Sequence, residues 1–235
     1  MEIKQIFQGV PARSDRGYLG WSACFLIVTG SGRKVIFDTA GYNERSTLID
    51  RLTSMDAPVS AIDMVVLSHF HFDHAANWDV FKNADIVLHT AELEYMDGAD
   101  ALRDPAVLRY HRQELGDAPS LRLIEAETDL GDGLIVLEVP GHTPGSVALK
   151  AEDDVFCGDA LKNRNELWTG KFGGPLWDED RALRSLDTLT SAGKRLYPGH
   201  DAVLERTNKG WMPGGISSIR IDLAAETEVC LHGSG

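Results

Sequence analysis

Four side chains of metal-binding types lie within six consecutive residues, about one third of the way along the chain. The segment 66–74 reads Val-Leu-Ser-His-Phe-His-Phe-Asp-His and ends with His69, His71, Asp73 and His74. Neutral imidazoles and a carboxylate are the ligands that Zn²⁺ and similar divalent metals favour. Because side chains alternate between faces in an extended chain, the first three ligands would share one face and a turn would bring the fourth beside them. This clustering predicts a metal site.

Three more side chains of the same types follow in loops marked by glycine and proline. His142 lies in Pro-Gly-His-Thr-Pro-Gly-Ser, Asp159 follows Gly158, and His200 lies in Pro-Gly-His-Asp. Each loop comes after an apolar run that is typical of a β-strand. The elements that position these candidate ligands are therefore expected to be strands, with the ligands placed at the strand ends.

The ordered set His-x-His-x-Asp-His, His, Asp and His resembles the metallo-β-lactamase superfamily, and the resemblance covers nearly the whole chain up to His200. It implies a four-layer αββα sandwich, and so an α/β (α+β) fold class. It also implies a dinuclear metal site. In that site one metal is held by His69, His71 and His142, the second is held by Asp73, His74 and His200, and Asp159 bridges the two. Asp38 resembles the acidic residue of the family's Asp-x-Gly turn, which supports the metal loop without binding metal.

The resemblance further implies hydrolytic chemistry. Two metals about 3.5–4 Å apart can share a hydroxide and clamp a reacting centre, and a bound metal lowers the pKa of its water to about 7. The hydroxide would attack a small lactone, thioester or other ester, and Asp73 would be the catalytic residue that orients the nucleophile or passes its proton to the leaving group. Two divalent ions are the expected cofactors, zinc first, with iron or manganese as alternatives.

Two other activities of the same fold stay open as alternatives, a metal-dependent phosphodiesterase or nuclease and an iron-dependent redox enzyme. Nuclease members usually add domains and basic surfaces, which this sequence lacks. The oxygen-reducing diiron branch has Glu where this chain has His71, and it carries a flavodoxin domain for which 235 residues leave no room. Acyl-homoserine lactonases place Tyr three residues after the bridging Asp, where this chain has Lys162, so the exact lactonase activity is not implied.

Four side chains in two glycine-containing loops are candidates for substrate binding. The long loop after the first strand contains Tyr18 and Trp21, whose alternative role is to hold that loop together. The loop beyond Asp159 contains Lys162 and Trp168. The ammonium of Lys162 could bind the anionic part of a substrate. Its alternative is an ordinary solvent-exposed lysine.

The remaining pattern predicts two sheets with helices in both halves of the chain. Strands are predicted at 2–7, 24–28, 34–37, 65–67, 86–88, 121–124, 134–139, 147–150, 155–157 and 195–197, with two further runs at 218–223 and 228–231. Helices are predicted after an N-cap at Asn43, as a pair within 91–113, and from Asp178 with Leu183, Leu186 and Leu189 as its apolar stripe. No linker or change of composition divides the chain, which predicts a single domain over 1–235.

Composition limits the partners. The net charge of −13 disfavours nucleic acid, because an acidic surface repels phosphate backbones. No apolar run is long enough for a membrane-spanning helix, and no secretory signal is evident, so a cytoplasmic location is expected. Three widely spaced cysteines give no disulfide framework and suit a reducing compartment. A small-molecule substrate is the expected partner, and a homo-oligomer stays open.

Overall fold

The computed structural model describes residues 1–174, 176–216 and 220. Its strands, in chain order, are β1 (Glu2–Phe7), β2 (Arg13–Ser14), β3 (Gly17–Tyr18), β4 (Cys24–Val28), β5 (Lys34–Phe37), β6 (Met64–Val66), β7 (Asp85–His89), β8 (Leu121–Ile124), β9 (Thr128–Gly131), β10 (Leu134–Glu138), β11 (Val147–Ala151), β12 (Asp154–Gly158), β13 (Arg195–Pro198), β14 (Leu204–Thr207) and β15 (Gly210–Pro213). Its α-helices are α1 (Arg45–Ser54), α2 (Phe72–Ala75), α3 (Thr90–Asp97), α4 (Arg112–Gly116), α5 (Arg164–Thr169) and α6 (Glu179–Ala192).

The first sheet has the order β1-β4-β5-β6-β7-β8, and strands β5 to β8 run parallel. Its inner strands β4 to β7 are short and mostly apolar because both of their faces are buried. Phe37 and Val66 point towards the second sheet, whereas Ile36 and Val65 point towards the helices on the outer face. This alternation lets one strand serve two apolar layers.

The second sheet has the order β15-β14-β13-β12-β11-β10-β9. Its strand pairs are antiparallel except for β12 and β13, which run parallel and are joined in the chain through α5 and α6. The two sheets meet in an aromatic layer in which the ring of Phe156 lies 4.8 Å from that of Phe25 and 5.8 Å from that of Phe37. Burial of each such ring contributes about 1.5–3 kcal/mol. Helices cover the outer face of each sheet, so the predicted αββα sandwich is confirmed.

Two helix predictions were wrong in detail. Helix α1 is preceded by a 3₁₀ turn whose cap is Gly41, and the Glu44 carboxylate accepts the Gly41 amide, so Asn43 is not the N-cap. The loop predicted beyond Asp159 contains α5, because the Asn163 side chain accepts two amides and starts a helix there. Asp178 does cap α6 as expected, although Leu183 in its predicted apolar stripe is 41% exposed.

The predicted strands of the two sheets are present with small shifts of their ends, but five short ones were missed. They are β2, β3, β9, β14 and β15. These strands carry many polar or glycine residues, so they lack the apolar run that reveals a strand in sequence. The predicted runs at 218–223 and 228–231 lie outside the described residues except for Arg220. The single domain over 1–235 stays a prediction, and no helix within the described ranges could span a membrane.

Candidate metal centre

The site forms where strand ends of both sheets meet. The His-x-His-x-Asp-His segment follows β6 in the first sheet, and the other three candidate ligands follow β10, β12 and β13 in the second. Backbone hydrogen bonds join the two sides at this edge, from the Val147 amide to the Ser68 carbonyl at 2.8 Å and from the Ala23 amide to the Gly199 carbonyl at 2.7 Å. The candidate ligands therefore lie along a hydrogen-bonded seam between the two sheets.

The segment after β6 does not stay extended. The strand ends at Val66, His71 pairs with Val107 in an isolated antiparallel bridge, and Asp73 and His74 lie in α2. A helical turn therefore sets the direction of the Asp73 side chain. The expectation that strand alternation places Asp73 beside the first two histidines was wrong, because α2 begins one residue before it.

The seven candidate ligands come together in overlapping groups. The first ligand group is His69, His71 and His142, and the second ligand group is Asp73, His74 and His200. Within each group the ligand atoms lie within 4.8 Å of one another, and a third set within the same limit consists of His69, His74 and Asp159. All seven side chains are buried except that of His200, which is half-buried.

Asp159 lies between the two groups. Its Oδ1 atom is 3.1 Å from Nε2 of His74 and 3.2 Å from Nε2 of His200. Its Oδ2 atom is 3.4 Å from Nε2 of His142, which belongs to the first ligand group. One carboxylate thus faces nitrogen atoms of both groups.

Several buried polar atoms at the centre of this arrangement have no hydrogen-bond partner. They are Nε2 of His69, Nε2 of His74 and Oδ1 of Asp159. The last two approach each other to 3.1 Å, but in a direction that does not form a hydrogen bond. Native proteins rarely leave buried polar atoms unpaired. Atoms of ligand type that converge without bonding one another fit divalent metal ions between them.

Asp38 fixes one side of the site. Its buried carboxylate accepts hydrogen bonds from the Ser68 amide at 2.7 Å and the Ser68 hydroxyl at 2.8 Å, and it lies 2.8 Å from Nδ1 of His74. Asp38 has φ +59°, a strained backbone conformation for a residue other than glycine. Burial raises the pKa of Asp38, although His74 acts in the opposite direction. A hydrogen bond to the ring nitrogen that does not face the metal, as between Asp38 and Nδ1 of His74, orients a metal-binding imidazole.

Two other histidines are held in the same way. Nδ1 of His69 is 2.9 Å from the Ser68 hydroxyl, and Nδ1 of His200 is 3.2 Å from the Trp21 carbonyl. Both rings therefore present Nε2 to the centre. The sequence suggested a substrate contact for Trp21, whereas its backbone supports a candidate ligand.

At His69, His142 and Asp159 the local electrostatics favour the protonation states that metal ligands need, whereas at His74 and His200 burial is outweighed by Asp159, which raises the pKa of both imidazoles. Burial, followed by the neighbouring His74, lowers the pKa of His69, and burial together with Lys162 lowers the pKa of His142. Burial opposes the charge on Asp159, but His200, His74 and Lys162 outweigh it and hold the pKa of that carboxyl well below its usual value. Neutral imidazoles and an ionised carboxylate are the forms that bind metal.

Lys162 lies beside the cluster. Its Nζ atom is 3.1 Å from Nδ1 of His142 and 3.8 Å from Oδ2 of Asp159, and its side chain is only 14% exposed. The buried carboxylate of Glu166 accepts its backbone amide at 2.7 Å, which fixes the start of the loop. This position differs from that of an ordinary surface lysine.

The structure does not bring all three aromatic candidates to the cluster. Trp21 lines a cavity of about 300 Å³ together with Glu44 and Arg51. None of the seven candidate ligands lines this cavity, although the Trp21 carbonyl lies 3.2 Å from Nδ1 of His200. Tyr18 is 59% exposed in β3. Trp168 donates its indole N–H to the Trp211 carbonyl at 3.1 Å and lines a separate cavity that contains none of the seven candidate ligands.

Two acidic residues near the site were missed in the sequence. Glu92 is buried and accepts hydrogen bonds from the amides of Phe70 and Gly145, both at 2.9 Å, and from the hydroxyl of Thr143 at 2.5 Å. It thereby joins the two loops that carry the first ligand group. Its position in a helix with many polar residues gives no signal of this role in the sequence. The second residue, Asp104, lies in a loop and gives no such signal either.

Asp104 lies against the outer side of His71, in the connection between α3 and α4. Its Oδ2 atom is 3.0 Å from Nε2 of His71 and accepts the Tyr95 hydroxyl at 3.1 Å. Burial works against the charge, but the hydrogen bond with His71 dominates and lowers the pKa of Asp104 to about 2. The carboxylate is therefore ionised at neutral pH.

Comparison with known proteins places the chain in a family. The family model described as "Metallo-beta-lactamase superfamily" matches residues 19–200. A probable metallo-hydrolase of Methanocaldococcus jannaschii is 26% identical over 72% of this chain and 72% of its own length. An N-acyl homoserine lactonase of a Bacillus species is 28% identical over 60% of this chain and 57% of its own length.

Solved structures agree with this assignment. A protein crystallised in a di-iron-bound form superposes with a TM-score of 0.59 and 27% identity, over 80% of this chain and 91% of that protein. The match to the family model covers most of the sequence and includes every candidate ligand. With its αββα sandwich and its clusters of side chains able to bind metal, the chain belongs to the metallo-β-lactamase superfamily and is a metal-dependent hydrolase.

Proposed function

We propose that this chain is a dinuclear metal hydrolase that cleaves a small lactone, thioester or other ester. The observation that carries the proposal is the position of Asp159, whose two carboxylate oxygens face nitrogen atoms of both ligand groups. A site for a single metal would not need a carboxylate between two separate sets of ligands. The buried and unpartnered atoms of His69, His74 and Asp159 add support.

The proposed ligands are those of the two groups with Asp159 shared between them. Two divalent ions bound there would supply a hydroxide at neutral pH and would act as Lewis acids that polarise the substrate oxygen. Asp73 would orient the nucleophile or pass its proton to the leaving group, a role supported by the distance of 3.4 Å between its Oδ2 and Nε2 of His200. The Lys162 ammonium is placed to bind an anionic part of the substrate.

Zinc is the proposed metal because imidazole and carboxylate ligands suit it. Iron and manganese are the alternatives, since the same ligand types bind them. The relative crystallised with two irons supports iron as the first alternative.

The substrate class rests on both the site and the relatives. The lactonases among the relatives support an ester-type substrate, while Lys162 lies where the resemblance to acyl-homoserine lactonases implies Tyr. A phosphodiester substrate is the second candidate, because a two-metal site also serves phosphoryl transfer. The net charge of −13 disfavours a polyanionic nucleic acid in that role.

Metal analysis combined with a substrate panel tests the proposal. Protein loaded separately with Zn²⁺, Fe²⁺ and Mn²⁺ is expected to hold about two ions per chain and to hydrolyse at least one lactone, thioester or aryl ester. A bis-aryl phosphate in the same panel tests the second candidate. His111→Ala serves as a control for loss of a histidine outside the cluster. Retention of a single ion, or turnover of the phosphodiester alone, would contradict the proposal.

A further inference from the structure

His71 faces the cluster with a different nitrogen from the other histidines. Its Nδ1 atom lies 3.0 Å from Nε2 of His142, so Nδ1 points into the first ligand group. His69, His74 and His200 instead use Nδ1 for a supporting contact and leave Nε2 towards the centre. His71 therefore requires support on the opposite edge of its ring, at Nε2.

That support comes from Asp104, at 3.0 Å from Nε2 of His71. The Asp104 carboxylate is itself held at both oxygens. Oδ2 accepts the hydroxyl of Tyr95 at 3.1 Å, and Oδ1 accepts the amide of Ala106 at 3.0 Å. The Asp104 side chain is 9% exposed, so water competes little for these bonds.

The backbone around Asp104 is anchored to the ligand segment as well. The Phe72 amide donates to the Ala106 carbonyl at 2.9 Å, and the Leu108 amide donates to the Phe70 carbonyl at 3.3 Å. The connection between α3 and α4 thus follows the ligand segment on both sides of His71. Asp104 is fixed relative to the ring by its side-chain bonds and by this backbone pairing.

We propose that Asp104, held by Tyr95, is a positioning residue that keeps the proton of His71 on Nε2 and so leaves Nδ1 free as a ligand of the first group. A neutral imidazole carries one N–H, and a carboxylate that accepts at one nitrogen directs the lone pair to the other. The role rests on the proposed metal site. It goes beyond that proposal because it assigns a function to two residues that bind neither metal nor substrate.

Stepwise metal affinity is the first measurement. Chelator competition should show that Asp104→Asn weakens one of the two zinc-binding steps by about 10- to 100-fold, the usual effect of losing such a supporting group. The other step should change much less. Tyr95→Phe, which removes one hydroxyl, should weaken the same step by about 2- to 10-fold, the equivalent of one hydrogen bond. Asp97→Asn is the matched control, since Asp97 forms an exposed ion pair with Arg112 next to the same connection.

The proton position is the second measurement, and a merely structural role would not change it. Long-range ¹H–¹⁵N spectra of the zinc-loaded wild type, with labelled histidine, should show one ring bound through Nδ1 with its Nε2 protonated. That Nε2 proton should exchange slowly with solvent in the wild type and in Asp97→Asn, and quickly in Asp104→Asn. Thermal unfolding of the metal-free variants checks the fold, and Tyr95→Phe keeps the test decisive if Asp104→Asn does not fold.

Unchanged stepwise affinities in folded Asp104→Asn, or a slowly exchanging Nε2 proton that survives the substitution, would overturn the role. Wild-type protein that binds no zinc would overturn it too. Wild type that binds two ions and hydrolyses no member of the panel, while Asp104→Asn loses one binding step, would contradict the proposed function and support the role of Asp104.

Discussion

The two sheets contribute to the site in different ways. The first sheet delivers four candidate ligands through one continuous segment after β6, whereas the second delivers three ligands from three separate loops. The first arrangement depends on the local path of one short helix and on the buried Asp38 that holds it. The second depends on contacts between loops that are distant in sequence. The four ligands of the first sheet form the concentrated side of the site, and the three ligands of the second sheet form its dispersed side. The two sides complete one centre but are held in place by different contacts.

The dispersed side is held by close backbone approaches and buried carboxylates. A Cβ added at Gly199 would lie 2.4 Å from Oδ1 of Asp159 and 2.9 Å from the Gly158 carbonyl. Gly158 itself has φ +51°, and a Cβ there would lie 2.5 Å from Cβ of Ser68, on the other side of the seam. Glu92 supplies the third support, because it connects the loop of Gly145 to the first-sheet segment.

Removal of one ligand from each side should have the largest effect and should be similar for both. Asp73→Ala on the concentrated side and His142→Ala on the dispersed side are each expected to lower kcat/KM by at least about 10²–10³-fold, as when one preorganised electrostatic group is lost. Steady-state kinetics with the best ester of the panel measure this, with His111→Ala as the control. Turnover within tenfold of wild type in either variant would remove that residue from the proposed ligand set.

Loss of Glu92 should weaken the connection between the first-sheet segment and the loop of Gly145. Glu92→Ala leaves the buried amides of Phe70 and Gly145 without their acceptor, each at a cost of about 1–3 kcal/mol, so the free energy of unfolding should fall by about 2–6 kcal/mol. Denaturant unfolding measures this. Glu94→Ala, on the exposed face of the same helix, is the matched control and should change stability little. Equal stabilities of the two variants would show that Glu92 does not join the loops energetically.

A single methyl group at Gly199 should disturb the dispersed side alone. Gly199→Ala forces atoms of Asp159 and Gly158 apart and is expected to cost about 1–3 kcal/mol of stability, the range seen for overpacking. Gly30→Ala, in the turn between β4 and β5, meets nothing within 4 Å and serves as the control. Thermal unfolding of the two metal-free variants gives the comparison, and a Gly199→Ala protein as stable as Gly30→Ala would contradict it.

Lys162 should give the smallest and most selective effect. Lys162→Met is expected to raise KM or lower kcat by about 10-fold for an anionic substrate, on the order of one charge-assisted hydrogen bond. Neutral analogues should be affected less. Lys171→Met, an exposed lysine in the same part of the chain, is the control. Identical kinetics of Lys162→Met and wild type on a good anionic substrate would leave Lys162 without a role in binding.

The sequence was sufficient to predict two sheets with helices and the clustering of candidate ligands because each rests on local signals, whereas the four-layer αββα arrangement was predicted from the resemblance to the family. Apolar runs mark the buried strands, and the ligand segment is dense enough to stand out. The sequence was insufficient to predict the direction of the Asp73 side chain, because an extended chain was assumed where α2 begins. A helix of four residues has too short a pattern to be distinguished from a turn.

The supporting residues could not be predicted for a different reason. Glu92, Asp104 and Tyr95 are ordinary polar residues of a helix and a loop until the chain folds, and their role depends on a partner many residues away. Trp168 is a candidate whose surroundings differ from those that its sequence position suggested. Its place in a loop near Asp159 suggested a substrate contact, but α5 and the hairpin of β14 and β15 direct it into a different cavity.

The hydrogen bonds that join Ser68 to Val147 and Gly199 to Ala23 have a consequence for the order of assembly. The ligands on the two sides become neighbours only when these long-range contacts have formed, and closing such distant loops is the slow part of folding. A metal ion has no complete coordination shell to enter before that stage. Metal uptake is therefore expected to be a late event, with a rate that follows the docking of the two sheets.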